Sequence, residues 1–458
     1  MNLLNAIKQQ WTDTHSNHGL KAGMYHFTRS EGESKKQIHL RIEEDGSGVL
    51  LVNANRMYYF NSTAATMAYG LLNQLPRDEI VHSLVHRFRV KKTQAMHDLI
   101  QFEGQLQPII SPLSDPCPIC DLELDILAPF TQNPSAPYRM DLALTYRCNN
   151  DCFHCYNDKS RAQNELTYQE WVKVLQSIWQ IGIPHVVFTG GEPTLRDDMP
   201  ELVATAQQIG FITGINTNGR RLHDADYVQK LIDAGLDHVQ ITLESHDEKI
   251  HDDIVGCSGA WQQSVKGIRN CLASPLYVMT NTTLLKRNTE CLGELLRFLK
   301  ELGVPTIGLN GLIYSGRGAA AQEGIPEQLL SGFLHLASDF TKKSGQRLIW
   351  YTPTQYCHFD PVEFGLGIKG CSAARYNMCI EPDGSVIPCQ SYYESLGNIL
   401  TQAWDSIWNH ELALSIREKK NIPEYCRDCH LLAECGGGCP LYWQHAAASV
   451  IPNTEQQT

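Results

Sequence analysis

The spacing of apolar residues changes character twice along this 458-residue chain. Residues 38–60 carry the alternation of a half-buried strand, interrupted by a turn signal. IHLRIE forms one strand of an expected β-hairpin, Asp45–Gly46 occupies the turn, and GVLLVNANRMYYF continues it, broken at Asn53. The period then lengthens to that of a helix. Asn61 or Ser62 serves as N-cap for STAATMAYGLLNQ, whose Ala65, Ala68, Leu71 and Leu72 share one face. PRDEIVHSLVHRF and TQAMHDLIQFEGQL add two helices. Residues 1–104 therefore form a small α+β unit, and residues 105–136, rich in Pro, Ser and Asp, a linker.

From residue 138 apolar strands alternate with amphipathic helices. The expected strands are Met140–Leu144, His185–Phe188, Phe211–Asn216, His238–Leu243, Tyr277–Thr283 and Thr306–Leu309. Between the first two, LTYQEWVKVLQSIWQIG places Trp171, Val174, Leu175 and Ile178 at helical spacing. Repeated βα units imply a parallel sheet or barrel, with function at the C-terminal strand ends. Six strands predict a partial (β/α)6 TIM-type barrel over 137–344. From 345 to 458 short strands, glycine and cysteine replace that rhythm, in a third unit too loop-rich for apolar packing alone.

Charge and cysteine narrow the function. Lys and Arg total 38 against 50 Asp and Glu, a net charge of −12, so the electrostatic footprint of a nucleic-acid binder is absent. No apolar run reaches the length of a membrane span, and the first residues carry no secretory signal, which predicts a cytoplasmic protein. In that reducing compartment, 16 cysteines point to metal ligation rather than disulfides. Cys257, Cys271 and Cys291 are scattered through periodic apolar segments and are expected to be inert. CPIC at 117–120 has three readings: a metal site, a cluster ligand or two linker thiols.

The central constellation follows the first barrel strand: Cys148-Asn-Asn-Asp-Cys152-Phe-His154-Cys155. Three thiolates at CxxxCxxC spacing can bind three corners of a cubane and leave the fourth iron open, whereas structural zinc ordinarily takes four protein ligands. One βα unit later comes Gly190-Gly191-Glu192-Pro193, where glycines permit close approach of a ligand and Glu192 offers a carboxylate to an ammonium group. Together these motifs resemble the radical S-adenosylmethionine superfamily over roughly residues 138–320. The resemblance implies a catalytic [4Fe–4S] cluster on Cys148, Cys152 and Cys155, with S-adenosylmethionine chelated by the open iron. Reductive cleavage there yields a 5′-deoxyadenosyl radical, with the electron coming from a partner such as flavodoxin or ferredoxin. It further implies that His154 lies near the adenine, Gly190–Pro193 near the methionine amine, and Thr242 and Glu244 near the ribose. Asn216 and Asn218, at a strand end, also face the cofactor. Arg317 pairs with the cofactor carboxylate or caps a loop.

Eight cysteines lie between 357 and 439. Cys426-x2-Cys429-x5-Cys435-x3-Cys439 and Cys371-x12-Gly384-x4-Cys389 resemble the two halves of the SPASM signature, with a PDG turn presenting Cys389; a zinc ribbon is the alternative. The resemblance implies one or two auxiliary [4Fe–4S] clusters. One takes Cys371, Cys389 and Cys439, with Cys357 or Cys379 as fourth ligand and Cys357 preferred. The other takes Cys426, Cys429 and Cys435, and its usual downstream cysteine is missing.

The stretches RMYYFNSTAATMAYGLL and DEIVHSLVHRFRV resemble the PqqD-like, winged-helix-like elements that bind leader peptides of ribosomally made, post-translationally modified peptides. An extended leader would add a strand to the sheet edge. The expected activity is therefore radical modification of a precursor peptide: a crosslink, thioether, epimer or oxidised side chain. The segment YCHFDP…GLGIKGC…PC also resembles SPASM-like enzymes that trim tetrapyrrole side chains, which is the alternative.

Overall fold

Four short strands open the N-terminal unit: β1 Gly23–Glu31, β2 Ser34–Ile42, β3 Gly48–Val52 and β4 Arg56–Phe60. They pair antiparallel in chain order. This computed structural model describes residues 20–31, 34–53, 56–112, 134–157 and 164–450, so the CPIC motif lies outside the described residues. Between β2 and β3, Asp45 Oδ1 accepts from the Ser47 backbone N at 2.9 Å and hydroxyl at 2.6 Å, which fixes the expected turn. Asn53 sits at φ 52°, and its Oδ1 accepts from Gln37 N at 2.9 Å. The expected break there ends β3 and separates it from β4. β1 was not legible because GMYHFTRSE lacks a strong apolar run, and most of its residues are only half buried.

The helices follow as α1 Ser62–Leu72, α2 Arg77–Phe88 and α3 Lys92–Ile110. Asn61 caps α1, its Oδ1 accepting from Ala64 N at 2.9 Å. Ile38, Leu40, Leu50 and Val52 from the sheet pack with Ala65, Ala68 and Leu72 of α1. Ile80, Val81 and Leu84 of α2 pack on Ala95 and Leu99 of α3. α3 runs past the expected linker start at 105 and contains Pro108. Proline inside a helix costs about 3 kcal/mol. Burial of Leu106 and Ile110 in the sheet core, worth about 1.5–3 kcal/mol each, offsets it.

The second unit is built on one ten-stranded sheet. β5 Arg139–Thr145, β6 His185–Gly190, β7 Ile212–Thr217, β8 His238–Thr242, β9 Tyr277–Leu284, β10 Thr306–Gly311 and β11 Arg347–Trp350 run parallel in chain order. The six expected barrel strands are present and β11 adds a seventh. Trp171, Val174 and Leu175 of the helix Tyr168–Ile181 are fully buried, as their spacing predicted. The cysteine-rich region continues this sheet. β12 Asn377–Ile380 pairs parallel with β5, and β13 Ser385–Ile387 and β14 Gly397–Asn398 follow antiparallel. Asn377 Nδ2 donates to the buried Asp141 Oδ2 at 3.1 Å, tying β12 to β5. Among the described residues no helix is long and apolar enough to cross a membrane.

Candidate functional site

The loop after β5 carries Cys148, Cys152 and Cys155, and segments from several parts of the chain hold it. Asn150 N donates to Cys148 Sγ at 3.4 Å, and Cys155 N to Cys152 O at 3.3 Å. From the end of β7, Asn218 Nδ2 reaches Asn149 Oδ1 at 2.7 Å. Arg220 Nη1 reaches Asn150 Oδ1 at 2.9 Å and also bonds the Asn149 carbonyl. Asp151 N donates to Val255 O at 2.8 Å. Gly318 N donates to Cys155 O at 3.1 Å. Burial pushes the Cys152 thiol well up, and the adjacent Cys155, Glu244 and Cys148 push it the same way. The three thiols thus lie close enough to influence one another, each partly buried.

The Gly190–Pro193 segment is stitched to the same loop by its backbone. Gly191 N donates to Thr145 O at 2.7 Å and Glu192 N to Arg147 O at 2.9 Å. A Cβ on Gly191 would sit 2.7 Å from Tyr146 O, and one on Gly190, at φ 130°, would run into Thr145 O. Only glycine allows this approach. Pro193 opens a single 3-10 turn. Glu192 takes a different part from the one its sequence position implies. It is completely buried, and Oε1 accepts from Thr194 Oγ1 at 2.6 Å, Thr217 Oγ1 at 2.7 Å and Thr194 N at 3.1 Å. Its Oε2 accepts from Asn218 N at 2.8 Å. Burial raises its pKa and these donors pull it back. The carboxylate braces the ends of β6 and β7 instead of standing open to an ammonium group.

His154 Nε2 meets Glu244 Oε1 at 3.2 Å, both nearly closed to solvent. Glu244 Oε2 accepts from Thr283 N at 2.9 Å. Both oxygens are therefore engaged, although sequence resemblance placed Glu244 near a ribose. Asn216 and Thr242 lie half buried at the ends of β7 and β8. Arg317 Nη1 pairs with Asp151 Oδ1 at 2.8 Å, beside Cys152 and Cys155. Two buried polar atoms here have no hydrogen-bond partner: His154 Nδ1 and Arg317 Nη2. Orphaned donors and acceptors next to three grouped thiols fit a cluster with a polar, charged cofactor beside it. Sequence reading missed Asn157 and Tyr393. Asn157 Nδ2 bonds the Gly190 carbonyl, and the Tyr393 hydroxyl donates to Asn157 Oδ1 at 2.6 Å and Tyr156 O at 3.0 Å. The only signal was their polarity, and Tyr393 lies far along the chain.

The C-terminal cysteines separate into two groups. Burial, with another of the three adding to it, raises Cys371, Cys389 and Cys439 each to about 12. Cys357 is not with them. Burial raises its thiol, and Cys435 and Cys429 are its neighbouring thiols; Cys426 in turn neighbours Cys435, Cys357 and Cys429. The preferred sequence assignment of Cys357 to the Cys371 group thus disagrees with where it lies. Cys379, on β12, is fully buried with Ala143, Tyr146 and Ile387. Of the scattered cysteines, Cys271 is buried, whereas Cys257 and Cys291 are partly exposed. Among the described residues no three His, Cys, Asp or Glu side chains close on a single ion. A four-iron cube needs a wider ring of thiolates than mononuclear zinc.

Residues 142–299 match the radical SAM superfamily model, and residues 371–430 match the SPASM iron-sulfur cluster-binding domain. These domains bring [4Fe–4S] clusters and S-adenosylmethionine as cofactors. The chain is 27% identical over 330 residues to Fe-coproporphyrin III synthase of Methanosarcina barkeri (strain Fusaro / DSM 804), covering 64% of this chain and 81% of that protein. Streptococcus suis SuiB bound to the precursor peptide SuiA aligns over 91% of this chain and 96% of its own, with TM-score 0.66 and 16% identity. Native anSMEcpe with bound AdoMet and Kp18Cys peptide aligns over 66% and 89%, with TM-score 0.54 and 17% identity. At such identities the structural likeness speaks for the fold.

Proposed function

We propose that this chain, a radical S-adenosylmethionine enzyme carrying a SPASM domain, modifies a residue of a ribosomally made precursor peptide bound through its N-terminal unit. The observation that carries the reading is that unit's sheet, in which β1 and β4 each pair on one side only among the described residues. An extended peptide joins such an edge through main-chain hydrogen bonds, which supply affinity without demanding one core sequence.

Cys148, Cys152 and Cys155 would hold the catalytic cluster, and Gly190, Gly191, Pro193, Asn216, Asn218, Thr242 and Arg317 would line S-adenosylmethionine, with Glu192 bracing the glycine segment from behind. When bound, the pair supplies one-electron reductive cleavage to a 5′-deoxyadenosyl radical that takes hydrogen from carbon. The residues of the chain provide position. Asn218 and Arg220 fix Asn149 and Asn150 between the first two thiols. Arg317 brings a guanidinium with one unpaired nitrogen to receive a carboxylate. Glu244 holds the His154 ring through Nε2 and leaves Nδ1 unpaired. Tyr393 holds Asn157, which in turn bonds the Gly190 carbonyl and fixes the glycine segment.

A second reading, a tetrapyrrole substrate, draws on the 27% identity to Fe-coproporphyrin III synthase. Removal of residues 1–104 separates the two. Under the peptide reading the truncated enzyme still cleaves S-adenosylmethionine but loses affinity for the full precursor, read by fluorescence anisotropy of a labelled peptide encoded beside the gene. Equal binding by both forms turns the reading to the tetrapyrrole.

A further inference from the structure

We infer that Cys357 is the fourth ligand of the auxiliary cluster held by Cys426, Cys429 and Cys435, closing it from upstream in the chain. The inference deepens the proposed function, resting on its assignment of auxiliary clusters to this region.

The segment Thr354–His358 is docked against those cysteines by its backbone and side chains. Tyr356 N donates to Cys435 Sγ at 3.4 Å, and Cys435 Sγ donates to Thr354 O at 3.6 Å. Gln355 Nε2 reaches Cys426 Sγ at 3.8 Å and the Tyr425 hydroxyl at 3.0 Å. Cys357 follows directly in this segment. The fixing continues on its other side. The buried Glu327 accepts on Oε2 from Gln355 N at 3.1 Å and lies 3.1 Å from His358 Nδ1. Cys357 is therefore bracketed by two held residues within the neighbourhood of Cys426, Cys429 and Cys435.

The glycine run before Cys439 makes the docking possible. A Cβ on Gly438, at φ 78°, would sit 2.9 Å from Gln355 Cγ and 3.1 Å from its backbone N. Any other residue at 438 would be strained at this φ and would crowd Gln355 at the point where the segment docks. The backbone N–H of Tyr356, aimed at the Cys435 sulfur, is the kind of donor that favours a thiolate ligand, since it stabilises sulfur in its charged form. This upstream residue takes the place that the SPASM resemblance gives to a cysteine downstream of Cys439. Cys371, Cys389 and Cys439 are then left as a three-thiol set.

The test uses full-length, anaerobically reconstituted protein in the Cys148→Ala/Cys152→Ala/Cys155→Ala background, so that only auxiliary clusters contribute. Two double variants, Cys426→Ala/Cys429→Ala and Cys371→Ala/Cys389→Ala, assign the reduced-state electron paramagnetic resonance signals to the two groups. Cys357→Ala should lose or shift the signal that depends on Cys426 and Cys429, and leave the other unchanged. Cys357→Ser, which preserves size and polarity, should alter the same signal. A change confined to the signal that depends on Cys371 and Cys389, or no change in either, overturns the inference. So does loss of both signals in Cys357→Ser, because a ligand of one cluster alone leaves the other cluster's signal in place. Absence of any auxiliary iron in the background protein would contradict the proposed function instead.

Discussion

The imidazole of His154 and the carboxylate of Glu244 meet at 3.2 Å, linking the CxxxCxxC loop to the end of the fourth barrel strand. Thr283 N holds the second carboxylate oxygen, so the pair cannot rotate away. Partners that orient residues around a metal site typically cost 10–100-fold on removal. Glu244→Ala is therefore expected to lower formation of 5′-deoxyadenosine by about 10–100-fold while iron per chain stays unchanged. The first is read by chromatography and the second by colorimetric iron assay. Loss of iron in step with activity would show that the pair supports the cluster itself.

The close approach of Gly191 to Tyr146 and Arg147 predicts a steric outcome. In Gly191→Ala the new methyl meets two backbone carbonyls, neither of which can turn aside. Overpacking of this kind costs about 1–3 kcal/mol. Chemical denaturation should show that loss, and S-adenosylmethionine binding should weaken with it. Gly293→Ala, where only the Arg297 side chain lies near, is the control that should leave both unchanged.

His238 gives the second unit an acid limit. Its Nε2 lies 2.9 Å from His185 Nε2, and burial, with Arg139 adding to it, drives its pKa down to about 3. Unfolded histidine titrates near 6.5, so between those values the unfolded chain binds a proton that the folded chain refuses. The stability contributed by neutral His238 is complete above about pH 6.5. It falls by about 1.4 kcal/mol per pH unit below that, towards the folded value. His238→Gln should flatten this part of the stability–pH curve in denaturant titrations between pH 7 and 5. Parallel curves for the two proteins would contradict the assignment.

Cys379 is expected to be silent. Its place among Ala143, Tyr146 and Ile387 is an apolar core position, shared with the inner faces of β5 and β13. Cys379→Ala should leave iron content and the auxiliary signals as they are. Loss of about four irons per chain would instead make it a ligand.

What was legible in the sequence was what repeats or what is local. The barrel strands could be placed within a few residues because strands buried on both faces are apolar runs, as Met140–Leu144 and His185–Phe188 show. The CxxxCxxC and Gly190–Pro193 motifs were visible because each lies on one loop. Relationships between distant segments were not. Glu192 looks like an exposed acceptor until Thr217 and Asn218, one βα unit away, are seen to enclose it. The SPASM resemblance gave Cys357, or else Cys379, to the Cys371 group, whereas Gln355 and Tyr356 hold the segment of Cys357 against Cys426 and Cys435. Neither clasp leaves a periodic signal.

Cleavage of S-adenosylmethionine should depend on one cysteine group alone, the one on the loop after the first barrel strand. Replacing Cys148, Cys152 and Cys155 together by alanine, reconstituting anaerobically, and measuring 5′-deoxyadenosine after dithionite reduction tests it most directly. The account predicts no product above the enzyme-free control, with the auxiliary cluster signals still present; 5′-deoxyadenosine formed at a rate near that of the parent would contradict it.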